Sequence, residues 1–397
     1  MTPTFEDLRP QMDRVQRLSL IVGAVALIAL IIGVFVDHAT AMRSYLWAWL
    51  FWGGISISCL GISLLHNVVG GNWGVVIRRF LEAGMRTLLI TIVGVIPILV
   101  AIPWLYAWHD PAVIHASEEV AFKAKFYLNT PFFVFRTIFY FALWGYLAWR
   151  LLRMSDEQDR TGDPEGLIQY RMKRLSAPGL VFFMFSTSWA WIDWIMSLEP
   201  EWYSTMHPWI YTIAQTLLAF AFVIGALIVC ARRAPLLSNV LSFQHYNDLG
   251  NLLLCFTMVW TYLSVGQLII VWHENLIDEI PWYLRRFSNG WGYLGFLISI
   301  FHFFLPFFLL LMRFIKRNPK YLFQVCLLLI GVRLVDVFWF VVPAWRQRYF
   351  SIAWTDVAAV IALGGIWLGL FVWRLKQRPL LPLHDPRLGY HTLESEA

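Results

Sequence analysis

The chain of 397 residues is strongly apolar: 59% of its residues are hydrophobic, only 14% are charged, and the mean hydropathy is +0.61. Soluble domains carry roughly 25% charged residues, so this composition excludes an ordinary water-soluble globular protein. The net charge of +6 does not indicate nucleic-acid binding, because the basic residues lie in short stretches between apolar runs. The sequence therefore predicts an integral membrane protein.

Ten apolar runs are long enough to cross a membrane, whose hydrocarbon core of about 30 Å needs about 20 helical residues. Their continuous apolar pattern favours helices over a transmembrane β-barrel. We therefore predict an all-α, polytopic membrane protein of about ten transmembrane helices, with kinks at Pro97, Pro103 and Pro306. The predicted spans are Leu18–Val36, Tyr45–His66, Thr87–Trp108, Phe132–Leu152, Gly179–Leu198, Trp209–Cys230, Leu249–Trp272, Trp291–Met312, Leu322–Val342 and Trp354–Trp373.

Lysines and arginines are unequally distributed between alternate loops. Most lie beside the termini and in the loops on the same side, including the charged loop from Met154 to Ala177. The positive-inside rule places that side, here called the inner side, in the cytoplasm, and the outer side opposite it. We predict a cytoplasmic N-terminal segment (1–17), a ten-helix transmembrane domain (18–373) and a cytoplasmic C-terminal tail (374–397).

Three ionisable residues lie near the centres of spans. Such a side chain costs at least about 2.5–3.5 kcal/mol in the hydrocarbon core, so each one needs a partner or a function. Arg333 and Asp336 lie three residues apart, on one helical face where they can pair, and His302 lies about halfway along the eighth span. We interpret them either as a structural ion pair with a core histidine, or as the middle of a proton path.

Further ionisable residues lie near the ends of spans, and four of them are candidates for a proton path. Asp193 and Asp356 lie near outer ends, and His66 and Arg86 lie near inner ends. We hypothesise that they continue a proton path on either side of His302 and the Arg333–Asp336 pair. The order of helices along the sequence does not show whether these groups converge.

The cysteines and histidines argue against a bound redox cofactor. The four cysteines are widely spaced and form no C-x-x-C or C-x-x-C-H motif. Only His66 and His302 lie clearly within spans, and no helix carries two histidines that could be haem ligands. We therefore predict no cofactor, no metal site and no catalytic residue in this chain.

Several stretches between about Tyr45 and Pro343 carry specific polar and aromatic motifs. The longest is DWIMSLEPEWYST, from Asp193 to Thr205. The others lie in Leu65–Ala83, Tyr127–Arg136, Asp248–Leu253, Gln267–Trp272, Pro281–Tyr283, His302–Phe307 and Arg333–Asp336. Together these motifs resemble those of the ActF-type, NrfD-like membrane subunits of bacterial alternative complex III.

The resemblance implies that the central eight helices form two four-helix bundles in a bacterial inner membrane. It implies a respiratory or photosynthetic complex that oxidises quinol or menaquinol and reduces a periplasmic cytochrome c or copper protein. The implied partners are a sister NrfD-like subunit, an iron–sulfur/molybdopterin-like subunit, haem c subunits, small membrane subunits and lipids. Haem c and iron–sulfur clusters then belong to those partners, and this chain contributes a proton path and a scaffold without being catalytic alone.

Three other functions stay open. The chain could itself bind quinol near the outer aromatic residues Trp191 and Trp194, with Asp193 or His273 accepting protons. It could be a secondary transporter, although we find no repeat between its halves. It could also be a structural anchor whose buried polar residues only satisfy one another.

Overall fold

The computed structural model describes residues 8–347, 349–382, 385 and 387, which form helices without any strand. Ten of the helices are long and apolar enough to cross a membrane, which confirms the predicted all-α polytopic fold. They are α1 (Arg9–Val36), α2 (His38–Val69), α3 (Asn72–Val100), α4 (Thr130–Thr161), α5 (Leu167–Leu198), α6 (His207–Ala231), α7 (Phe243–His273), α8 (Trp291–Leu311), α9 (Pro319–Ala344) and α10 (Trp354–Leu375).

Shorter helices lie in four of the connections. The α3–α4 connection contains Ile102–Leu105, Ala107–His109, Pro111–Ala116 and Glu118–Phe126. Pro235–Val240 follows α6, Ile280–Phe287 follows α7, and Arg313–Arg317 follows α8. Two spans end in a 3₁₀ turn, α5 at Met196–Leu198 and α9 at Val342–Ala344, and α8 contains a π-helical segment, Ser299–Phe304.

Local sequence signals explain several helix ends. Asp37, Asn129 and Asn318 precede α2, α4 and α9, and each accepts a hydrogen bond from a backbone N–H in the first turn of its helix. This satisfies one of the N–H groups that a helix start leaves unpaired. Gly70 and Gly162 end α2 and α4 with positive φ angles of 78° and 71°, a backbone conformation that favours glycine.

Two groups of four helices form the centre of the molecule. Helices α2–α5 pack together as the first bundle and α6–α9 as the second bundle, the arrangement that the resemblance implies. The two bundles meet where α2 packs against α6. Helices α1 and α10 pack along each other outside the bundles and contact α2. Helix α2 is therefore largely buried between the two bundles and the pair of α1 and α10.

The predicted inner ends of α3, α4 and α5 are wrong. Helix α3 begins at Asn72 instead of Thr87, and the predicted loop Met154–Ala177 is helical except for the turn at 162–166. Helix α4 has 32 residues, which at 1.5 Å per residue is about 48 Å, longer than the hydrocarbon core. Hydropathy did not identify these helical turns on the inner side, because their many charged residues give them the composition of a loop.

The two predicted terminal segments are described only in part. Residues from Arg9 onward in the predicted segment 1–17 belong to α1, and α10 continues to Leu375. Residues 1–7 and most of the predicted tail after residue 382 lie outside the described residues.

Helices α1 and α10 approach so closely at Gly23 and Gly365 that their backbones touch. A Cβ on Gly365 would lie 2.6 Å from the Cα of Gly23 and 2.5 Å from the carbonyl oxygen of Ser19. No side-chain rotation relieves a contact with backbone atoms. Small residues at such a crossing let two membrane helices gain close van der Waals packing.

We expect Gly365→Ala to loosen α1 from α10 and to lower the thermal midpoint of the purified protein. In a helix, alanine is more favourable than glycine by roughly 1 kcal/mol. A lower thermal midpoint must therefore come from the steric clash of the new Cβ with the α1 backbone. Gly331→Ala in α9 is the matched control, because a Cβ there meets nothing within 4 Å beyond its own helix. A midpoint that is unchanged or raised in both variants would contradict tight packing of α1 on α10.

Candidate functional site

The second bundle contains a buried ion pair on α9. Arg333 and Asp336 are 1% and 2% exposed, and the Arg333 guanidinium donates a hydrogen bond to the Asp336 carboxylate. This confirms the pairing predicted from their spacing. The guanidinium carbon also lies 4.7 Å from the centre of the Tyr211 ring on α6. The Nε and Nη2 atoms of Arg333 have no hydrogen-bond partner in the described chain.

Helix α8 brings His302 to this ion pair through its π-helical segment, which ends two residues before Pro306. Proline lacks the N–H that would bond to the His302 carbonyl, and its ring crowds that carbonyl, so a wider turn relieves the contact. The predicted irregularity at Pro306 thus takes the form of a π-helix. His302 Nδ1 lies 3.6 Å from Asp336 Oδ2, and the imidazole packs on Trp260 of α7 with 4.0 Å between ring centroids.

His302 is fully buried, yet neither of its ring nitrogens makes a hydrogen bond within the described chain. Buried polar side chains normally have at least one partner, so His302 does not fit the interpretation of a core histidine bonded to a neighbouring helix. We call Arg333, Asp336 and His302 the central triad. Because arginine keeps its proton, a proton that moves within the central triad is carried by the carboxylate or by the imidazole.

Two residues of α6 connect the central triad with the first bundle. Gln215 Nε2 donates to the Tyr211 hydroxyl at 2.7 Å and to the Leu50 carbonyl of α2 at 3.0 Å. The Tyr211 ring also packs on Trp191 of α5, with 4.7 Å between ring centroids. The central triad therefore lies beside the boundary between the two bundles.

Asp193 occupies a separate, closed site in the first bundle. Arg136 of α4 donates to both carboxylate oxygens at 2.8 Å, and the Tyr140 hydroxyl donates at 2.7 Å. Asp193 is fully buried, and both of its oxygens are satisfied. Within the described residues no hydrogen bond joins Asp193 to the central triad, and its geometry favours a structural role.

The inner end of the first bundle holds a dense ionic network. Arg78 donates to Glu82 at 3.0 Å and to Asp385 of the C-terminal segment at 2.8 Å. Burial raises the pKa of Asp385, but the hydrogen bond and charge of Arg387 and the charge of Arg78 outweigh it and hold that pKa below its usual range. This inner network consists of Arg78, Arg79, Glu82, Ser155, Gln158, Asp159 and Asp385.

His66 and Arg86, predicted for the inner end of a proton path, border the inner network. Arg387 Nη1 lies 3.0 Å from His66 Nε2, and Arg86 pairs with Asp156 at 3.2 Å. Neither residue has a hydrogen bond or an ion pair with the central triad among the described residues. The structure thus places both of them in the first bundle, whereas the central triad lies in the second.

Asp356 lies outside both bundles, at the start of α10. Its carboxylate accepts hydrogen bonds from Ser44 at 2.6 Å, from Trp47 at 3.2 Å and from Arg346 at 2.6 and 3.1 Å. Of the residues predicted for a proton path, the structure therefore joins three in the central triad. It places His66 and Arg86 beside the inner network and leaves Asp193 and Asp356 in two separate sites.

The predicted quinone-binding residues do not form one site. Trp191 and Trp194 are 1% and 0% exposed and pack on each other, and the Trp194 indole donates to Thr137 at 3.3 Å. His273 is exposed at the last residue of α7 and contacts neither tryptophan in the described part of the chain. The two tryptophans are core residues of the first bundle.

Comparisons with known proteins assign nothing to these sites. No protein-family model matches the chain, and no curated protein is found to be similar to it. The described residues also contain no group of three or more His, Cys, Asp or Glu side chains that could hold a metal ion. The central triad and the arrangement of the helices are therefore the features from which we infer a function.

Sequence reasoning missed the neighbours of the central triad and a second ion pair. Tyr211 and Gln215 lie four residues apart in an apolar span, a signal for a polar stripe on one helical face. Arg286, in an outer connection, is 1% exposed and donates to Glu199 at 2.9 Å and to the Phe340 carbonyl at 2.8 Å. No local pattern marks Arg286 as buried, because its partners come from distant segments.

Proposed function

We propose that this chain is a membrane subunit of a quinol-oxidising electron-transfer complex of the alternative complex III type, in a bacterial inner membrane. It conducts protons through the central triad, holds its partners together and carries no redox cofactor. Quinol or menaquinol is oxidised on a partner, and electrons pass through iron–sulfur clusters and haem c to a periplasmic cytochrome c or copper protein. The partners are the sister NrfD-like, iron–sulfur/molybdopterin-like, haem c and small membrane subunits.

The central triad is the observation that carries the proposal of proton conduction. An ion pair with only a structural role would need no third ionisable group. His302 nevertheless lies 3.6 Å from Asp336 with both ring nitrogens lacking hydrogen bonds in the described chain. An unsatisfied buried polar group costs about 1–3 kcal/mol, and ionisable groups within membranes commonly mark proton pathways.

The arrangement of the helices supports membership in the complex. The two four-helix bundles, flanked by α1 and α10, agree with the arrangement that the motif resemblance implies. The motifs also coincide with the buried polar groups, since Asp193 begins the longest motif and the central triad lies in two others.

Purification of the tagged chain from its native membrane in a mild detergent tests the proposal. We expect haem c and iron–sulfur subunits to co-purify, and quinol to reduce added cytochrome c. In liposomes, we expect more protons to be released than quinol oxidation itself supplies. A chain that purifies without redox partners would contradict membership in such a complex. Electron transfer without excess proton release would contradict proton conduction.

A further inference from the structure

A cavity of about 280 Å³ lies between α1, α6, α9 and α10 on the inner side of the molecule. The first turns of α1 and α9 and the last turns of α6 and α10 line it, and no residue of the central triad does. Its wall follows α10 from Leu368 to Leu375, which at 1.5 Å per residue is about 10 Å. The cavity is therefore long enough to hold part of a lipid acyl chain.

The wall of this cavity is apolar along its length and polar at one end. Apart from Gln11 and Arg233, every lining residue is aliphatic, aromatic, Gly, Met or Cys. Both polar residues lie at the inner end, where the Arg233 guanidinium donates a hydrogen bond to the Gln11 side-chain oxygen. This pattern matches an amphiphile whose chain enters the membrane while its head stays at the inner surface. Apolar lining residues include Met12, Phe222, Cys230, Phe323, Leu368 and Phe371.

Two arginines follow α6 at the inner end of the cavity. Arg233 lines the cavity, and the Arg232 guanidinium carbon lies 5.1 Å from the centre of the Phe323 ring in the wall. Neither arginine forms an ion pair within the described residues. The only acidic residue of α1, Asp13, pairs with Lys376 at 2.5 Å and does not line the cavity. The described chain therefore leaves two positive charges here without a balancing carboxylate.

The cavity is accessible from the apolar surface of the molecule. Val229 of α6 and Leu327 of α9 belong to its wall and are 46% and 52% exposed. An acyl chain can therefore enter between these helices without leaving the hydrocarbon core.

We propose that this cavity holds an acyl chain of an anionic phospholipid from the inner leaflet, with the lipid phosphate bound by Arg233. Arginine presents a fork of N–H donors that matches phosphate oxygens, and basic pockets between membrane helices on the cytoplasmic side are typical of anionic lipid binding. A zwitterionic lipid would bring a second positive group to the two arginines, and an uncharged lipid would leave them without an anion. The proposal is independent of the proposed function, because it concerns only the inner leaflet.

A lipid in this position would join the α1–α10 pair to the second bundle. The Phe222 ring of α6 packs on Trp367 and Phe371 of α10, with 5.0 Å between ring centroids in both pairs. The cavity adjoins this contact, since Phe222 and Phe371 both line it. An acyl chain there would contact all four helices, so we expect the lipid to raise the thermal midpoint of the protein.

Native mass spectrometry of the protein purified from its membrane, stripped of lipid and titrated with lipids of identical acyl chains, tests the proposal. We expect phosphatidylglycerol to bind at least about fivefold more tightly than phosphatidylcholine or diacylglycerol, the factor that corresponds to one arginine beside an anionic headgroup. Arg233→Gln should remove this preference, and Arg233→Lys should keep part of it. Arg317→Gln is the matched control and should keep all of it, because Arg317 is an exposed arginine on the same side but outside the cavity.

A second pair of variants tests the acyl-chain site without changing charge. Val229→Trp should fill the cavity and abolish both the tight phosphatidylglycerol site and its effect on the thermal midpoint. Val22→Trp should change neither, since Val22 is 50% exposed on α1 but does not line the cavity. Equal binding of the three lipids, or a preference that survives both Arg233→Gln and Val229→Trp, would overturn the proposal.

Photo-crosslinking distinguishes a lipid from a protein segment in the cavity. A benzophenone side chain introduced in place of Leu327 should crosslink to phospholipid in native membranes. A crosslink to a protein segment would place a partner subunit or another part of this chain in the cavity, and would overturn the proposal.

Discussion

Replacement of Asp336 with asparagine should abolish proton translocation while the complex assembles and oxidises quinol at its normal rate. Asparagine has almost the same shape as aspartate but does not bind a proton at neutral pH, so the central triad loses its carboxylate carrier. Arg333 stays charged, and His302 then faces an amide 3.6 Å away instead of a carboxylate. Proton release should fall to the amount that quinol oxidation supplies by itself.

The measurement uses the purified complex in liposomes, with proton release and cytochrome c reduction followed in the same sample. Asp336→Glu should restore part of the translocation, because it returns a carboxylate. Asp356→Asn is a control, since Asp356 is also paired with an arginine but lies outside both bundles. Unchanged translocation in Asp336→Asn would reduce the Arg333–Asp336 pair to a structural contact. Loss in both variants would place Asp356 on the same path.

Removal of the Asp193 carboxylate by Asp193→Ala should lower the free energy of unfolding by about 3–5 kcal/mol, the usual effect of leaving a buried charge unpaired. The Arg136 guanidinium would lose the acceptor of its bonds through Nε and Nη2, and the Tyr140 hydroxyl would lose the Asp193 carboxylate as its acceptor. Reversible unfolding in detergent mixed with dodecyl sulfate measures the change.

Two comparisons show whether that loss comes from the buried charge. Arg171→Ala breaks the surface pair with Glu157, whose side chains are 50% and 35% exposed, and should cost at most about 1 kcal/mol. An Asp193→Leu, Arg136→Met double variant should recover most of the stability, because no buried charge is left unpaired. Full stability of Asp193→Asn combined with lost proton translocation would instead make Asp193 part of the proton path.

The features predicted correctly from sequence depend on interactions between near neighbours in the chain. Apolar runs of sufficient length identify spans, because each helix satisfies its own backbone hydrogen bonds in lipid. The Arg333–Asp336 pair follows from the three-residue spacing alone. The early start of α3 could not be predicted in this way. Its Arg78 is neutralised inside the first bundle by Glu82 and also by Asp385 from a distant segment, whereas hydropathy counts each charged residue as facing water.

The sequence by itself determined the ten membrane helices and the ion pair at the centre of α9, because length, hydropathy and helical periodicity are local properties. Only the tertiary structure decided that His302 of α8 joins that pair, while Asp193, Asp356, His66 and Arg86 belong to other clusters. The approach of side chains on different helices depends on the crossing angle, rotation and axial position of each helix. Those quantities follow from packing over whole helices, and no single motif encodes them.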